Sequence, residues 1–223
     1  MPDPALLPHA IPPQPLDPLE IHLWFCEFPR REPIEVRRQA QVFLLRLLSA
    51  YLLRRVDAAE LEVGAHGKPA LAAGGFDFNL SHSGGAAVVA LGRGVEVGVD
   101  LESPGRPRPH AELARRYFCG PEAQSIGNTP EALRETAFLR LWTAKEAVLK
   151  ALGRGLAFGL DKLEFDATVD PPALLRIDVA GGAAALWHLH ALPLPSPWLG
   201  HLAWRGETRR VRSFHDATLR QPV

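Results

Sequence analysis

A helical pattern covers residues 138–156. Phe138, Leu141, Trp142, Val148, Leu149 and Leu152 recur there at intervals of three and four, and Gly153 supplies a stop. A second pattern, at 95–102, alternates without a break. Val95, Val97, Val99 and Leu101 face one way; Glu96, Gly98, Asp100 and Glu102 face the other, as in a half-buried strand. Elsewhere the pattern predicts a strand at 20–25 and a helix from 34 to about 56 started by Pro33, with Val42, Leu45, Leu48, Ser49 and Leu52 turned inward. A strand at 61–63, a turn at 64–69 that exposes Lys68, and a strand at 86–91 follow.

After Glu102 the run Ser103-Pro104-Gly105-Arg106-Pro107-Arg108-Pro109 breaks regular structure and marks a boundary. Beyond it the pattern gives a helix at 111–118, a turn at Gly120-Pro121, and a helix opened by Pro130 that ends at Leu152. Strands then alternate with turns at 163–167, 174–179, 184–192, 199–204 and 211–214, which predicts an antiparallel sheet. Strands and helices on both sides of the boundary make the fold class α+β, as two modules packed side by side. The divisions are a proline-rich extended arm at 1–18, an N-terminal half at 19–102, a linker at 103–109, a C-terminal half at 110–216 and a tail at 217–223.

Across the stripe of the long helix run Lys145, Glu146 and Lys150; Glu146 and Lys150 stand one turn apart and share a face. Asp100 and Glu102 share a strand face with Cα atoms roughly 6.5–7 Å apart. They would repel one another unless a cation or proton lay between them. Gly98 leaves the face beside them open to a ligand or to another backbone. With Glu146 they form a set of three hard oxygen donors that suits Mg²⁺, whose shell is completed by water and substrate phosphate. A helix salt bridge and a solvated acidic sheet edge are the plainer readings of the same residues. Arg37 and Arg38 are either solvated surface or a clamp for phosphate oxygens. Asn79, Ser81 and Ser83, with His82 on the opposite phase, add polar groups. Ser81 and His82 do not make a nucleophile and its base, because neighbours on an extended chain point to opposite faces and no G-x-S-x-G elbow is present.

The 223 residues suffice for one large or two small modules, and 47% hydrophobic with 22% charged residues is globular composition. Lysine and arginine, 25 in all, balance 25 acids, so no overall field argues for nucleic acid or membrane, and anion recognition must come from local clusters. Cys26 and Cys119 stand far apart in sequence with no paired-cysteine spacing, which argues against a disulfide framework or structural zinc site and makes a reducing compartment the expectation. No apolar run approaches a membrane span, and the proline-rich start lacks the basic and apolar regions of a signal peptide. A cytoplasmic location is the expectation.

Four stretches together resemble the Sfp-type 4′-phosphopantetheinyl transferases: Gly67-Lys68-Pro69, F-N-L-S-H-S-G at 78–84, G-V-D-L-E at 98–102 and W-T-A-K-E-A-V-L-K-A-L-G-R-G-L at 142–156. They occur in the family's order and at compatible spacings. The resemblance implies transfer of the phosphopantetheine arm of coenzyme A to a serine of an acyl or peptidyl carrier protein, with Mg²⁺, releasing adenosine 3′,5′-bisphosphate and forming no covalent enzyme intermediate. By motif position Asp100, Glu102 and Glu146 would hold Mg²⁺. Glu146 would also serve as general base, and Lys150 would contact the phosphates and offset charge at the leaving side. Ser81 and His82 would bind the nucleotide part of coenzyme A, Lys68 its phosphates, and Arg37, ahead of Leu44-Leu45-Arg46, its 3′-phosphate. The family fold is two similar α+β halves related by a pseudo-two-fold axis with the cleft between them, and a monomer is implied. The chain departs from the family in a short segment at 24–37, with no lysine before Lys68, and in a short stretch at 122–134, where family members usually dock the carrier. A non-catalytic coenzyme A or nucleotide binder with the same fold, and a phosphohydrolase using the same acids, are the other functions weighed.

Overall fold

Alternate side chains of one strand point to opposite faces, so a strand that is apolar on both faces must be covered on both. The first strand shows this directly. In the structure, a computed structural model that describes residues 15–29 and 32–216, β1 (Glu20–Glu27) sends Ile21, Leu23 and Phe25 into one core and Trp24 and Cys26 into another. Most of the predicted arm, Arg30 and Arg31 of the first loop, and the tail lie outside the described residues. The chain continues through α1 (Pro33–Leu52), β2 (Leu61–Val63), β3 (Pro69–Leu71), β4 (Asp77–Ser83), β5 (Ala86–Gly92) and β6 (Val97–Glu102). After the linker come α2 (His110–Tyr117), α3 (Gly120–Asn128), α4 (Glu131–Leu152), β7 (Leu163–Asp166), β8 (Ala173–Ile177), β9 (Trp187–Ala191), β10 (Leu199–Arg205) and β11 (Arg210–Asp216).

The fold is mixed α+β. Two main sheets have the orders β11-β1-β5-β4 and β6-β10-β9, and β2-β3 and β7-β8 are separate hairpins. Phe43, Leu44, Leu47 and Leu48 of α1 close one core against Trp24, Phe78 and Val89. Phe138, Leu141, Val148 and Leu149 of α4 close another with Phe118, Phe165 and Trp187. The remaining faces of the two sheets share the third, where Leu23, Val88, Val99, Leu101 and Leu202 meet.

Several expectations are corrected. The buried stripe of α1 is centred on its largest fully buried side chain, Phe43, so Val42 is exposed and Leu45 and Leu52 are half-buried, while Leu48 and Ser49 are buried as predicted. Gly120-Pro121 is not a turn but the first turn of α3, where proline's missing N–H has no helical partner to lose; Cys119 and Glu122 cap it reciprocally. The last five strands do not form one antiparallel sheet. β11 runs parallel to β1, with Trp24 opposite Phe214, and buried Glu20 of β1 holds Arg210 and Arg212 of β11. β6, which ends the first half of the chain, pairs instead with β10. Each half thus lends a strand to the other's sheet, and the linker divides the chain without dividing the sheets.

Two contacts fix α4. A Cβ at Gly98 would overlap the Ala147 carbonyl oxygen and the Ala151 nitrogen, so β6 lies directly against the helix backbone; this face admits another backbone, not a ligand. Lys145, read from sequence as one of the polar residues across the stripe, is wholly buried. Its ammonium donates to Glu122 Oε2 at 2.7 Å, the Leu160 carbonyl at 2.9 Å and the Leu163 carbonyl at 2.5 Å, while Glu122 Oε1 accepts the Phe165 N–H at 2.8 Å.

Gly98→Ala should therefore destabilise the protein by about 3 kcal/mol, because two backbones must part. Glu122→Ala should cost about 3–5 kcal/mol by leaving a buried, unpaired ammonium. Urea unfolding checks both; an unchanged midpoint for Gly98→Ala would mean that α4 is free to move off β6.

Candidate functional site

β4 and β6 are neighbours that are not joined by a backbone ladder; side chains do that work. Asn79, Ser81 and Ser83 alternate on β4 and so project to one side. Asn79 Oδ1 accepts the Val99 N–H at 2.9 Å, Ser81 Oγ that of Leu101 at 3.2 Å, and Ser83 Oγ that of Ser103 at 3.3 Å. The same hydroxyls donate to carboxylates of β6: Ser81 to Asp100 Oδ1 and Ser83 to Glu102 Oε2, each at 2.9 Å. Asn79 and Ser83 matter here as much as the predicted Ser81, and the shared two-residue period of N-x-S-x-S and V-D-L-E carried that signal.

Because β6 touches α4 at Gly98, the next outward residues of both elements meet. Lys150 Nζ donates to Asp100 Oδ1 at 2.7 Å and to Ser81 Oγ and the Val99 carbonyl, both at 3.1 Å. Asp100 is buried, and its second oxygen, Oδ2, has no hydrogen-bond partner among the described residues. Glu146, one turn before Lys150 and half-buried, has its pKa pushed up to about 7. Burial is the main cause, repulsion from Asp100 and Glu102 adds to it, and Lys150 opposes it. Glu102 is also raised, first by burial and then by Asp100, against the Ser83 bond and the charges of Arg108 and Arg106. Behind the site, opposite Asp100 on β10, buried His201 is held near Thr143 Oγ1 at 2.8 Å, and burial lowers its pKa to about 4, so it stays neutral.

The predicted site residues fall into three places. Ser81, Asp100 and Lys150 are in direct contact, with Glu102 and Glu146 coupled to them through charge. His82 is exposed in a bowl of about 200 Å³ whose lining includes Gly84, Gly85, Glu102, Arg106 and Arg108. Gly84 and Gly85 form the two-residue turn between β4 and β5 with φ of 58° and 84°, which only glycine adopts freely. The bowl's walls disfavour imidazolium and lower the His82 pKa, with Lys150 and exposed Arg37 adding to the effect. Lys68 belongs to neither group. It is half-buried rather than exposed, at the other end of β6, where its ammonium bonds the Val97 carbonyl at 2.9 Å and the Ala151 carbonyl at 3.3 Å; the end of α4 leaves such carbonyls without helical partners. Ser81 faces β6 and Asp100, so its hydroxyl braces the carboxylate.

Among the described residues no three histidine, cysteine, aspartate or glutamate side chains stand at metal-ligand spacing. Like charges without a cation between them stay apart. The donor set is nonetheless all hard oxygen, and the orphaned Asp100 Oδ2 is an acceptor without a donor, which is what a Mg²⁺ ion would complete.

Comparison with known proteins gives one family. A model of the 4′-phosphopantetheinyl transferase superfamily matches residues 96–201, which contain Asp100, Glu102, Glu146 and Lys150 but not Arg37, Lys68, Ser81 or His82. A Synechocystis sp. protein whose name assigns it provisionally to the 4′-phosphopantetheinyl transferases is 33% identical over 182 residues, 75% of this chain and 71% of that one. The Nostoc sp. 4′-phosphopantetheinyl transferase HetI is 36% identical over 135 residues, 58% of this chain and 56% of its own. The Bacillus pumilus 4′-phosphopantetheinyl transferase psf-1 is 32% identical over 147 residues, 65% and 62% respectively.

The raised pKa of Glu146 has a measurable consequence. Folding holds its proton more tightly than the unfolded chain does, so its contribution to metal-free stability is full below about pH 4.5 and is lost as pH rises through about 7. Glu146→Gln should flatten that fall. Thermal melts of the two metal-free proteins from about pH 5 to about pH 8 check it; parallel curves would remove the raised pKa.

Proposed function

The chain belongs to the 4′-phosphopantetheinyl transferase superfamily, and from that premise we propose how its residues move the phosphopantetheine arm of coenzyme A onto a serine hydroxyl of an acyl or peptidyl carrier protein. In this reading the reaction is Mg²⁺-dependent, releases adenosine 3′,5′-bisphosphate and takes place in the cytoplasm. The observation that carries it is the buried Asp100 carboxylate, with one oxygen shared by Lys150 and Ser81 and the other unpartnered. A buried acceptor left unsatisfied costs about 1–3 kcal/mol, which a bound cation would offset. A protein that only binds a nucleotide has no need of such a group.

Asp100, Glu102 and Glu146 would hold Mg²⁺, which when bound neutralises charge on the pyrophosphate oxygens. Glu146 would take the proton of the incoming serine through a water, a general-base role open to its ionised carboxylate. Ser81 and Ser83 hold Asp100 and Glu102 in place through the hydroxyl bonds already described, so the carboxylates need not reorganise when substrate arrives. Lys150, at the edge of the site with its ammonium on Asp100, is placed to offset charge on the leaving side. His82 lines the bowl, the charge of Arg37 reaches His82, and the two would receive the nucleotide and its 3′-phosphate. The exchange of strands β6 and β11 between the two sheets supports a reading of the halves as related by a pseudo-two-fold axis with the cleft between them. Both halves then lie in one chain, and a monomer suffices.

Intact mass measurement of apo carrier proteins incubated with the enzyme and coenzyme A tests the proposal. One phosphopantetheine should be added per carrier, chelator should abolish the gain, and Asp100→Ala should slow it at least about a hundredfold. No gain on any carrier, with coenzyme A still bound, would favour the non-catalytic binder.

A further inference from the structure

Most arginines among the described residues have something to hold. Arg38, Arg54, Arg140, Arg176 and Arg205 pair with carboxylates, and Arg93 and Arg209 bond carbonyls. The two arginines of the linker differ. Neither the Arg106 nor the Arg108 side chain makes an ion pair or hydrogen bond with a described residue, although Arg108 is half-buried. Both line the bowl beside His82, Ser83 and Glu102, and both also line a cavity of about 510 Å³ beneath the linker. Arg108 borders in addition the groove lined by Tyr117 and Trp142, so one guanidinium stands where three cavities meet. A half-buried cation without a partner carries a desolvation cost that an anionic ligand would offset.

Charge points to which anion. Three carboxylates, the Lys150 ammonium and one Mg²⁺ cancel, so the two negative charges of a pyrophosphate would arrive unbalanced beside Glu102. Two guanidinium groups restore the balance, and their planar forks suit phosphate oxygens.

We propose that Arg106 and Arg108 bind the pyrophosphate of coenzyme A, making the linker one wall of the substrate site. This rests on the transferase reading given above. The linker's Pro-Gly-Arg-Pro-Arg-Pro sequence fits that role, since its prolines limit the backbone freedom lost when the arginines engage a ligand.

Calorimetry with coenzyme A and with 3′-dephospho-coenzyme A, in Mg²⁺ and without carrier protein, tests the assignment on the full chain. Arg106→Ala/Arg108→Ala should weaken both ligands by the same factor, about ten- to a hundredfold. Arg108→Lys, which retains charge but not the fork, should fall between and keeps the test open if the double variant is unstable. Wild-type affinity in the double variant overturns the proposal. So does a loss confined to coenzyme A, which would place the arginines on the 3′-phosphate. Unchanged affinity with a raised KM for the carrier protein also overturns it, and assigns them to carrier docking. A wild-type protein that binds no coenzyme A and modifies no carrier defeats the transferase reading itself, and this inference with it.

Discussion

The missing side chain at Gly98 is the constraint on which the site depends. With no Cβ there, the backbone of α4 can lie against β6, and the contact sets both the height and the rotation of the helix over the strand. Asp100 is two residues along the strand from Gly98, and Lys150 is three residues along the helix from Ala147, so a close approach at one point brings the next pair into hydrogen-bond range. The buried Lys145–Glu122 pair fixes the same helix from its other side, tying it to α3 and to the segment that enters β7. A helix held on both sides presents Glu146 and Lys150 without freedom to turn away.

The seam between β4 and β6 follows from a second substitution of one group for another. Where a continuous sheet would use carbonyl oxygens, Asn79, Ser81 and Ser83 supply side-chain oxygens to the amides of Val99, Leu101 and Ser103. The strands are thereby joined but remain in separate sheets. A hydroxyl, unlike a carbonyl, also donates, and the donated bonds go to Asp100 and Glu102. One set of residues therefore both connects the two sheets and orients the acids.

Periodicity made the local elements legible: the end of α4 at Gly153, the start of α1 at Pro33 and the positions of the five last strands follow from spacing and from proline and glycine chemistry. Pairing between distant strands was not legible, because nothing within β11 states that its partner is β1, nearly two hundred residues earlier, or that it runs parallel. Lys68 and Lys145 show the same limit for side chains. Each looks like a solvent-facing cation in its own segment, and each is drawn inward by carbonyls or a carboxylate from elsewhere in the chain. Asp100, Glu102, Glu146 and Lys150 were legible because strand and helix periods place each pair on one face, but the bracing serines take on their meaning only once β4 lies beside β6.

The linker arginines add a further distinction. A run of prolines with arginines between them reads as a boundary, since neither periodicity nor turn chemistry assigns it a partner. In the fold it borders the bowl that holds His82 and reaches the acids on β6. Burial, and after it the charge of Asp100, raises the pKa of Glu102 and of Glu146, and Lys150 touches Asp100 directly. The fold thus tolerates a concentration of negative charge by supplying one internal cation and leaving two guanidinium groups unpaired at its edge. Such an arrangement is poorly optimised for stability but suited to a ligand that brings both a cation and phosphate, because binding relieves the repulsion among the acids and pairs the arginines in the same event.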